Sequence, residues 1–361
     1  VLRGLAGNGA AVIYLDYQAT TPLAPEAREA MVRWLGEEAF GNPHSAHRMG
    51  RLAAAAVELA REQVAALFPP GGRVIFTSGA TEAINLAIRG SGQGGTVAVS
   101  AIEHAAVLDT ARAVGAVHTI PVDGEGIAQP GELPDDTRLI CMMQVNNEIG
   151  TVQPVSDWAG RALLLCDAVQ GYGRLAPPEA DLIAISAHKF HGPKGVGALW
   201  VRDGVSLAQV QTGGGQEGGL RSGTLSPALC AGMGAAAALA AERMEADRAH
   251  VEASWARARE LFAGWTLNGS ATARWRGNLN IRRDGLDVAR LMSDCREVMF
   301  SAGSACASGS GRTSHVLKAI GLTDAQAKNA IRLGFGRYTT LADIERAAAT
   351  INAAAKAQET W

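Results

Sequence analysis

Between residues 72 and 215 short apolar runs alternate with stretches whose apolar positions recur at helical spacing. The runs Thr96-Val-Ala-Val-Ser, Leu163-Leu-Leu-Cys-Asp and Asp181-Leu-Ile-Ala-Ile each read as a buried strand bounded by turn residues. Phe76-Thr-Ser-Gly-Ala-Thr-Glu-Ala-Ile-Asn-Leu-Ala reads as a strand end, a turn of small residues and then a helix. Strand-helix alternation of this kind predicts an α/β fold with a largely parallel sheet and helices on both faces. Residues 233–261 carry a long helical pattern, and the alanine- and glycine-rich stretch 228–241 suits close helix packing. A helical tail begins at Leu341. Residues 301–314 are small and polar with no hydrophobic period, which predicts a mobile, exposed loop. The pattern shift places a boundary near residue 245, between a large domain (13–245) and a smaller α+β domain (246–361), with residues 1–12 packing on the smaller one.

Composition narrows the class. A chain of 361 residues allows two domains and an ample core. A net charge of −2 leaves no basic footprint for nucleic acid. No apolar run reaches the ~18–20 residues that a membrane span needs. Val1-Leu-Arg-Gly-Leu-Ala-Gly-Asn-Gly has no signal-peptide pattern, so a cytoplasmic location is expected. The five cysteines show no Cys-x-x-Cys or Cys/His spacing suited to a metal, and no paired framework, which suits a reducing compartment. Cys141, Cys166 and Cys230 sit in apolar strand or helix patterns and read as structural; Cys295 lies in a mixed stretch that decides nothing.

The polar residues at the strand ends carry the chemistry. Lys189 ends a buried run inside Ser186-Ala-His-Lys-Phe-His-Gly-Pro-Lys-Gly, flanked by a hydroxyl, an imidazole and a glycine-rich turn. A lysine after a strand is ordinarily a surface residue. In an apolar, partly desolvated site it loses its proton near neutral pH and attacks carbonyls to form a Schiff base. Ser186 and His188 would then donate hydrogen bonds to a neighbouring anion. Ser78-Gly79-Ala80-Thr81 is either a plain N-cap or a phosphate cradle, because small residues at a helix start leave backbone N–H groups free. Asp167, with Gln170 three residues on, either caps a turn or pairs with a protonated pyridine nitrogen, since a buried carboxylate needs a partner. His104, after the strand-like run at 96–100, is by itself as well read as structural.

Taken in order, these segments resemble the pyridoxal-phosphate-dependent cysteine desulfurases of the class V aminotransferase family. The likeness runs through Tyr14-Leu-Asp-Tyr-Gln-Ala-Thr-Thr-Pro, Gly41-Asn-Pro-His-Ser, Thr77-Ser-Gly-Ala-Thr-Glu, Glu103-His, Val145-Asn-Asn-Glu-Ile-Gly-Thr, Asp167-Ala-Val-Gln and Ser186-Ala-His-Lys. It continues through Arg221-Ser-Gly-Thr, Ser301-Ala-Gly-Ser-Ala-Cys-Ala-Ser and Ile331-Arg-Leu-Gly-Phe-Gly-Arg, and so spans residues 12 to 350. The resemblance implies the fold-type I architecture and pyridoxal 5'-phosphate held on Lys189, which would also move the substrate's α-proton. It implies that His104 stacks on the pyridine ring, Asp167 pairs with the ring nitrogen and Gln170 contacts the phenolic oxygen. Ala80, Thr81, Ser186 and His188 would hold the phosphate, with Thr224 reaching in from the partner of a homodimer. Asn147 and Arg332, with Asn42 as a further candidate, would orient the substrate; the planar guanidinium fork of Arg332 suits a carboxylate.

By the same resemblance Cys306 takes sulfur from L-cysteine as a persulfide, leaving L-alanine, and passes it to an acceptor or scaffold protein for iron-sulfur cluster or other cofactor assembly. The length of the loop after Cys306 resembles the group I, NifS/IscS-like branch; the Arg-x-Gly-His-x-Cys pattern of the other branch is absent. Selenocysteine lyase, or another class V activity such as transamination, is the alternative enzyme reading, and a catalytically dead subunit of a sulfur-transfer complex the non-enzyme one. The chain departs from the usual pattern at Gln18, at Arg274-Trp-Arg-Gly-Asn, and between Val155 and Leu163, where the helix before Asp167 must be abbreviated.

Overall fold

The structure is a computed structural model that describes residues 12–37, 39–303 and 313–359. Cys306 and most of its loop, and nearly all of the first dozen residues, therefore lie outside the described residues. After the short strand β1 (Ile13–Tyr14) and helices α1 (Pro25–Val32) and α2 (Arg48–Ala65), the chain builds its central sheet. The strands are β2 (Gly72–Thr77), β3 (Thr96–Ser100), β4 (Ala116–Ile120), β5 (Thr137–Cys141), β6 (Leu163–Asp167), β7 (Leu182–Ser186) and β8 (Gly197–Arg202). Their spatial order is β2-β8-β7-β6-β5-β3-β4. All neighbours are parallel except at β8, which runs antiparallel to both β2 and β7. The sheet is thus mainly parallel, as the alternating pattern predicts, with one reversed strand that a strand-helix count does not reveal.

Strand geometry explains why these runs are apolar throughout. Successive side chains point to opposite faces, so a strand covered on both sides has no solvent face. Ile140, Leu164 and Ile183 enter one core together with Val57, Phe76 and Met233. Their neighbours Leu139, Leu165 and Leu182 enter the opposite core with Ile84, Ile88 and Val97. Helix α3 (Ala80–Gly90) follows β2, and α4 (Ala105–Val114) follows β3. Between β5 and β6 only a 3-10 turn, Val155–Trp158, is left, which matches the abbreviated helix expected there.

Helix α5 (Pro227–Leu261) begins six residues before the long pattern predicted for it, with Ser226 as its N-cap and Pro at its first turn. It runs straight through the expected boundary at residue 245. Cys230, Met233, Ala236 and Ala237 on its first half pack in the core beneath the sheet. Ala258, near its end, belongs to a separate core with Ile13, Leu15, Ile281, Ile331 and Leu333. That second core covers a small sheet of β9 (Thr266–Leu267), β10 (Asn278–Arg282), β12 (Ser301–Ala302) and β13 (Ala330–Gly334), while β11 (Val298–Met299) pairs with β1. Helices α6 (Val288–Asp294), α7 (His315–Ala319), α8 (Asp324–Lys328) and α9 (Leu341–Ala357) complete the fold. Cys141, Cys166 and Cys230 are buried as expected, and so is Cys295, whose thiol burial pushes up to about 11. No helix among the described residues is long and apolar enough to cross a membrane.

Candidate active site

The carboxyl ends of β2, β3, β5, β6 and β7 lie along one edge of the sheet, and the loops leaving them enclose a cavity of about 550 Å³. Ligands of open α/β sheets bind at this edge, where strand order reverses. Here β3 lies between β4 and β5. The cavity wall takes Ala80 and Thr81 from after β2, His104 from after β3, Asn147 from after β5, Asp167 and Gln170 from β6, Ser186, His188 and Lys189 from β7, and Arg332 from β13. Ten of the expected site residues thus meet in one place. Asn42 does not join them: it is exposed, and its side-chain oxygen accepts the His44 N–H at 2.9 Å to cap its own turn. Thr224 is exposed and outside this protomer's cavity wall. Cys306 lies outside the described residues.

Lys189 stands in the 3-10 turn Ala187–Lys189 that follows β7. Its ammonium donates to the carbonyls of Gln18 at 2.6 Å and Ala19 at 2.9 Å. The segment around Thr20 straps this turn. The Thr21 N–H and hydroxyl both donate to the His188 carbonyl, at 2.9 and 3.0 Å, and the Thr21 hydroxyl accepts the His191 N–H at 2.7 Å. That contact helps hold His191 at φ 70, a left-handed conformation uncommon for a residue other than glycine. The motif at 14–22 was legible in the sequence, but not its task as a strap; no local pattern announces a contact to a segment some 170 residues away.

Asp167 closes β6, deep in the site and flanked by the apolar core. Its Oδ1 accepts the Val169 N–H at 3.0 Å, so the turn-cap reading holds for that oxygen. Burial pushes its carboxyl up, against the lowering influence of His104 and Lys189. A carboxylate in this position suits a protonated ring nitrogen, which would supply the partner charge. His104 caps α4: its Nδ1 accepts the Ala106 N–H at 3.1 Å, which puts the proton of the neutral ring on Nε2 and fixes the ring plane. His188 is pushed down to about 4 by burial and by Lys189 and Lys194, so its ring is neutral at pH 7. Its Nδ1 lies 3.1 Å from the Thr20 hydroxyl, and the tautomer in which that nitrogen accepts presents Nε2–H as a donor.

The end of the site expected to take an anion is set by glycine. Gly79 precedes α3 at φ 154, a backbone that a β-carbon disfavours, and gives the helix no side-chain cap. The first N–H groups of α3 are thereby left for an anion. A β-carbon on Gly79 would also come within 3.6 Å of the Ser186 hydroxyl, another of the expected anion donors. Glu82, in the first turn, is kept away from this role: it accepts the Ser78 N–H at 2.6 Å and pairs with Arg221 at 2.6 Å.

Arg332 enters from the small sheet almost wholly buried, at 1 % exposure. It donates to Asp16 at 2.8 Å, to the Ser301 hydroxyl at 3.3 Å and to the Asn147 carbonyl at 3.0 Å. Asp16 and Ser301 fix the guanidinium plane, and sequence reasoning assigned neither a role. The Asn147 turn is itself clamped. Asn278 and Asn280 each donate to the Glu148 carbonyl at 3.0 Å, and Arg274 donates to the Ile149 carbonyl at 2.5 Å.

The cavity thus brings together a lysine at a strand end, a buried carboxylate, an imidazole and an uncapped helix start, a donor set that suits pyridoxal phosphate. The sequence pattern of the family described as aminotransferase class-V matches residues 13–347, and the chain belongs to that family, whose cofactor is pyridoxal 5'-phosphate. Among curated relatives, the cysteine desulfurase IscS of Colwellia psychrerythraea is 39 % identical, over 95 % of this chain and 92 % of its own. A mitosomal cysteine desulfurase of Trachipleistophora hominis is 40 % identical, over 97 % and 88 %. The fold superposes on a solved NifS-like protein with a TM-score of 0.87 and 31 % identity, covering 95 % of this chain and 98 % of that one.

Proposed function

We propose that this protein is a cytoplasmic, homodimeric cysteine desulfurase that converts L-cysteine to L-alanine and carries the sulfur as a persulfide on Cys306, for delivery to an acceptor protein in iron-sulfur cluster or other cofactor assembly. The observation that carries the reading is the convergence of Lys189, Asp167, His104, Gln170 and Arg332 on one cavity. The names of the relatives support the choice of reaction within the family.

When bound, pyridoxal phosphate withdraws electrons from the substrate's α-carbon, which acidifies the α-proton and labilises the bond from the β-carbon to sulfur. Lys189 would hold it covalently, Asp167 would keep its ring nitrogen protonated and Gln170 would donate to its phenolic oxygen. Ala80, Thr81, Ser186 and His188 of one subunit, and Thr224 of the other, would hold its phosphate; Thr224 is exposed in the single chain, as a group offered to a partner must be. Arg332 and Asn147 orient the amino acid, and the freed amine of Lys189 moves the α-proton. The Cys306 thiolate attacks the substrate sulfur: one sulfur–sulfur bond forms, the carbon–sulfur bond breaks, and its electron pair takes a proton to complete the alanine methyl group. On the proposed division near residue 245, Arg332 and Cys306 belong to the smaller unit and the cofactor residues to the larger.

The test is to supply the cofactor-loaded enzyme with L-cysteine and a thiol reductant and to quantify products. Stoichiometric alanine and sulfide are expected. A keto acid in place of alanine would instead indicate transamination. Sedimentation at assay concentration is expected to show a dimer, and a fully active monomer would overturn the shared-site assignment of Thr224.

A further inference from the structure

Behind the cavity wall, outside the set of residues assigned above, lies a cation with an unusual partner set. Arg174 ends the turn that follows Asp167. Its guanidinium donates to the Gln170 carbonyl at 3.0 Å and the Gln170 side-chain Oε1 at 3.1 Å, and its other end donates to the Lys189 carbonyl. It lies over the Trp275 ring, 5.6 Å from the centroid. Among the described residues no carboxylate pairs with it, and the nearby Asp247 is engaged by Arg337 at 2.6 Å. Burial draws its guanidinium down to about 10, so it still carries its charge at neutral pH.

These contacts decide which way the Gln170 amide points. Oε1 faces a donor, Arg174, and Nε2 donates to the Gln18 carbonyl at 2.9 Å. Turned over, the amide would set its NH2 against a guanidinium and its oxygen against a carbonyl, two like-with-like contacts at a buried side chain. The Gln18 carbonyl uses one hydrogen of Nε2, which leaves the second for the cavity that Gln170 lines. The same guanidinium holds the backbone of Lys189, whose amine shares that Gln18 carbonyl.

We infer that Arg174 is a positioning residue: it locks the Gln170 amide with its N–H toward the cofactor's phenolic oxygen and tethers the Lys189 turn, so that the electronic state of the cofactor depends on a cation that never touches it. The inference rests on the cofactor site proposed above, and the test separates the two. Apoprotein is titrated with pyridoxal phosphate, and the visible absorbance of the loaded protein is followed against pH, for wild type, Gln170→Ala, Arg174→Met and the double variant. Arg174→Met keeps the bulk that packs on Trp275 and removes the donors. Cofactor binding is expected to weaken about tenfold in each single variant, the worth of one charge-assisted hydrogen bond, and the absorbance midpoint to move in the same direction in both. Because Arg174 acts through Gln170, the loss in the double variant should fall short of the product of the single losses by fivefold or more. Arg174→Lys, with one ammonium in place of the fork, should restore part of the affinity and carries the same cycle if the methionine variant unfolds. Losses that simply multiply, or an absorbance midpoint unmoved by either Arg174 variant, would overturn the inference while leaving the site intact. Wild-type apoprotein that binds no pyridoxal phosphate would overturn the site reading itself.

Discussion

Replacing Arg332 by lysine tests the part of the site most distant in sequence from the rest. A guanidinium has five N–H donors. In the structure the two of one terminal nitrogen reach Asp16 and Ser301, and one of the other reaches the Asn147 carbonyl. The remaining donors, one terminal N–H and Nε–H, have no assigned acceptor, and Nε is buried without a partner. The remaining terminal N–H, on the nitrogen that reaches Asn147, is the donor left for a substrate carboxylate. Lysine keeps the charge but is a point donor, so it can serve either Asp16 or the substrate well, not both. A charge-assisted hydrogen bond contributes ~1.5–3 kcal/mol, so losing that donor should remove about as much substrate binding. That corresponds to roughly a 10- to 150-fold fall in kcat/KM, carried mainly by KM because the contact is the same in ground and transition states. Initial rates of alanine formation over a range of cysteine concentrations measure it, with cofactor absorbance and a thermal melt showing that the variant is folded and loaded. A loaded, folded Arg332→Lys enzyme with KM within twofold of wild type would refute the assignment.

Two further predictions concern the base of the site. Lys189→Ala should abolish turnover, and borohydride should no longer fix the cofactor to the chain, while non-covalent binding through Asp167 and the start of α3 persists; normal alanine output would defeat the assignment. Glu103 is fully buried, accepting from the Met143 N–H and the Ser100 hydroxyl at 2.7 Å each, with its second oxygen unpartnered. Burial, with a smaller contribution from Asp167, raises its carboxyl to about 8. The folded state therefore holds a proton that the unfolded chain releases near pH 4.5, and stability should decline as pH rises from there to about 8. Glu103→Gln, which mimics the protonated form, should flatten that slope and gain a few kcal/mol relative to wild type above pH 8. Denaturant titrations at pH 5.5 and 8.5 read this directly, and an unchanged slope would show that Glu103 is ionised in the fold.

What was legible in the sequence was the set of groups, and what was not was their wiring. Lys189 and Asp167 announce themselves because each follows a run of apolar residues that only a doubly covered strand tolerates, and the glycine at 79 marks a helix start without a cap. The reversed direction of β8 left no trace, since an antiparallel strand buried on both faces has the same composition as a parallel one. Local periodicity is equally silent about Asp16 and Arg332, which meet across 316 residues, and about Arg174, two of whose partners are backbone carbonyls that any sequence supplies. The boundary expected near residue 245 rests on a shift in pattern, yet the helix there continues for four more turns, because helical hydrogen bonds are local and do not register which core a side chain enters.

The central claim is that sulfur passes from free cysteine to Cys306, and peptide mass spectrometry tests it most directly. The cofactor-loaded enzyme is exposed briefly to L-cysteine, alkylated and digested. One added sulfur on the peptide carrying Cys306, absent from a Cys306→Ser variant that still binds cysteine, is the predicted result. Added sulfur on the peptide carrying Cys295 instead, or desulfuration at the wild-type rate by Cys306→Ser, would contradict it.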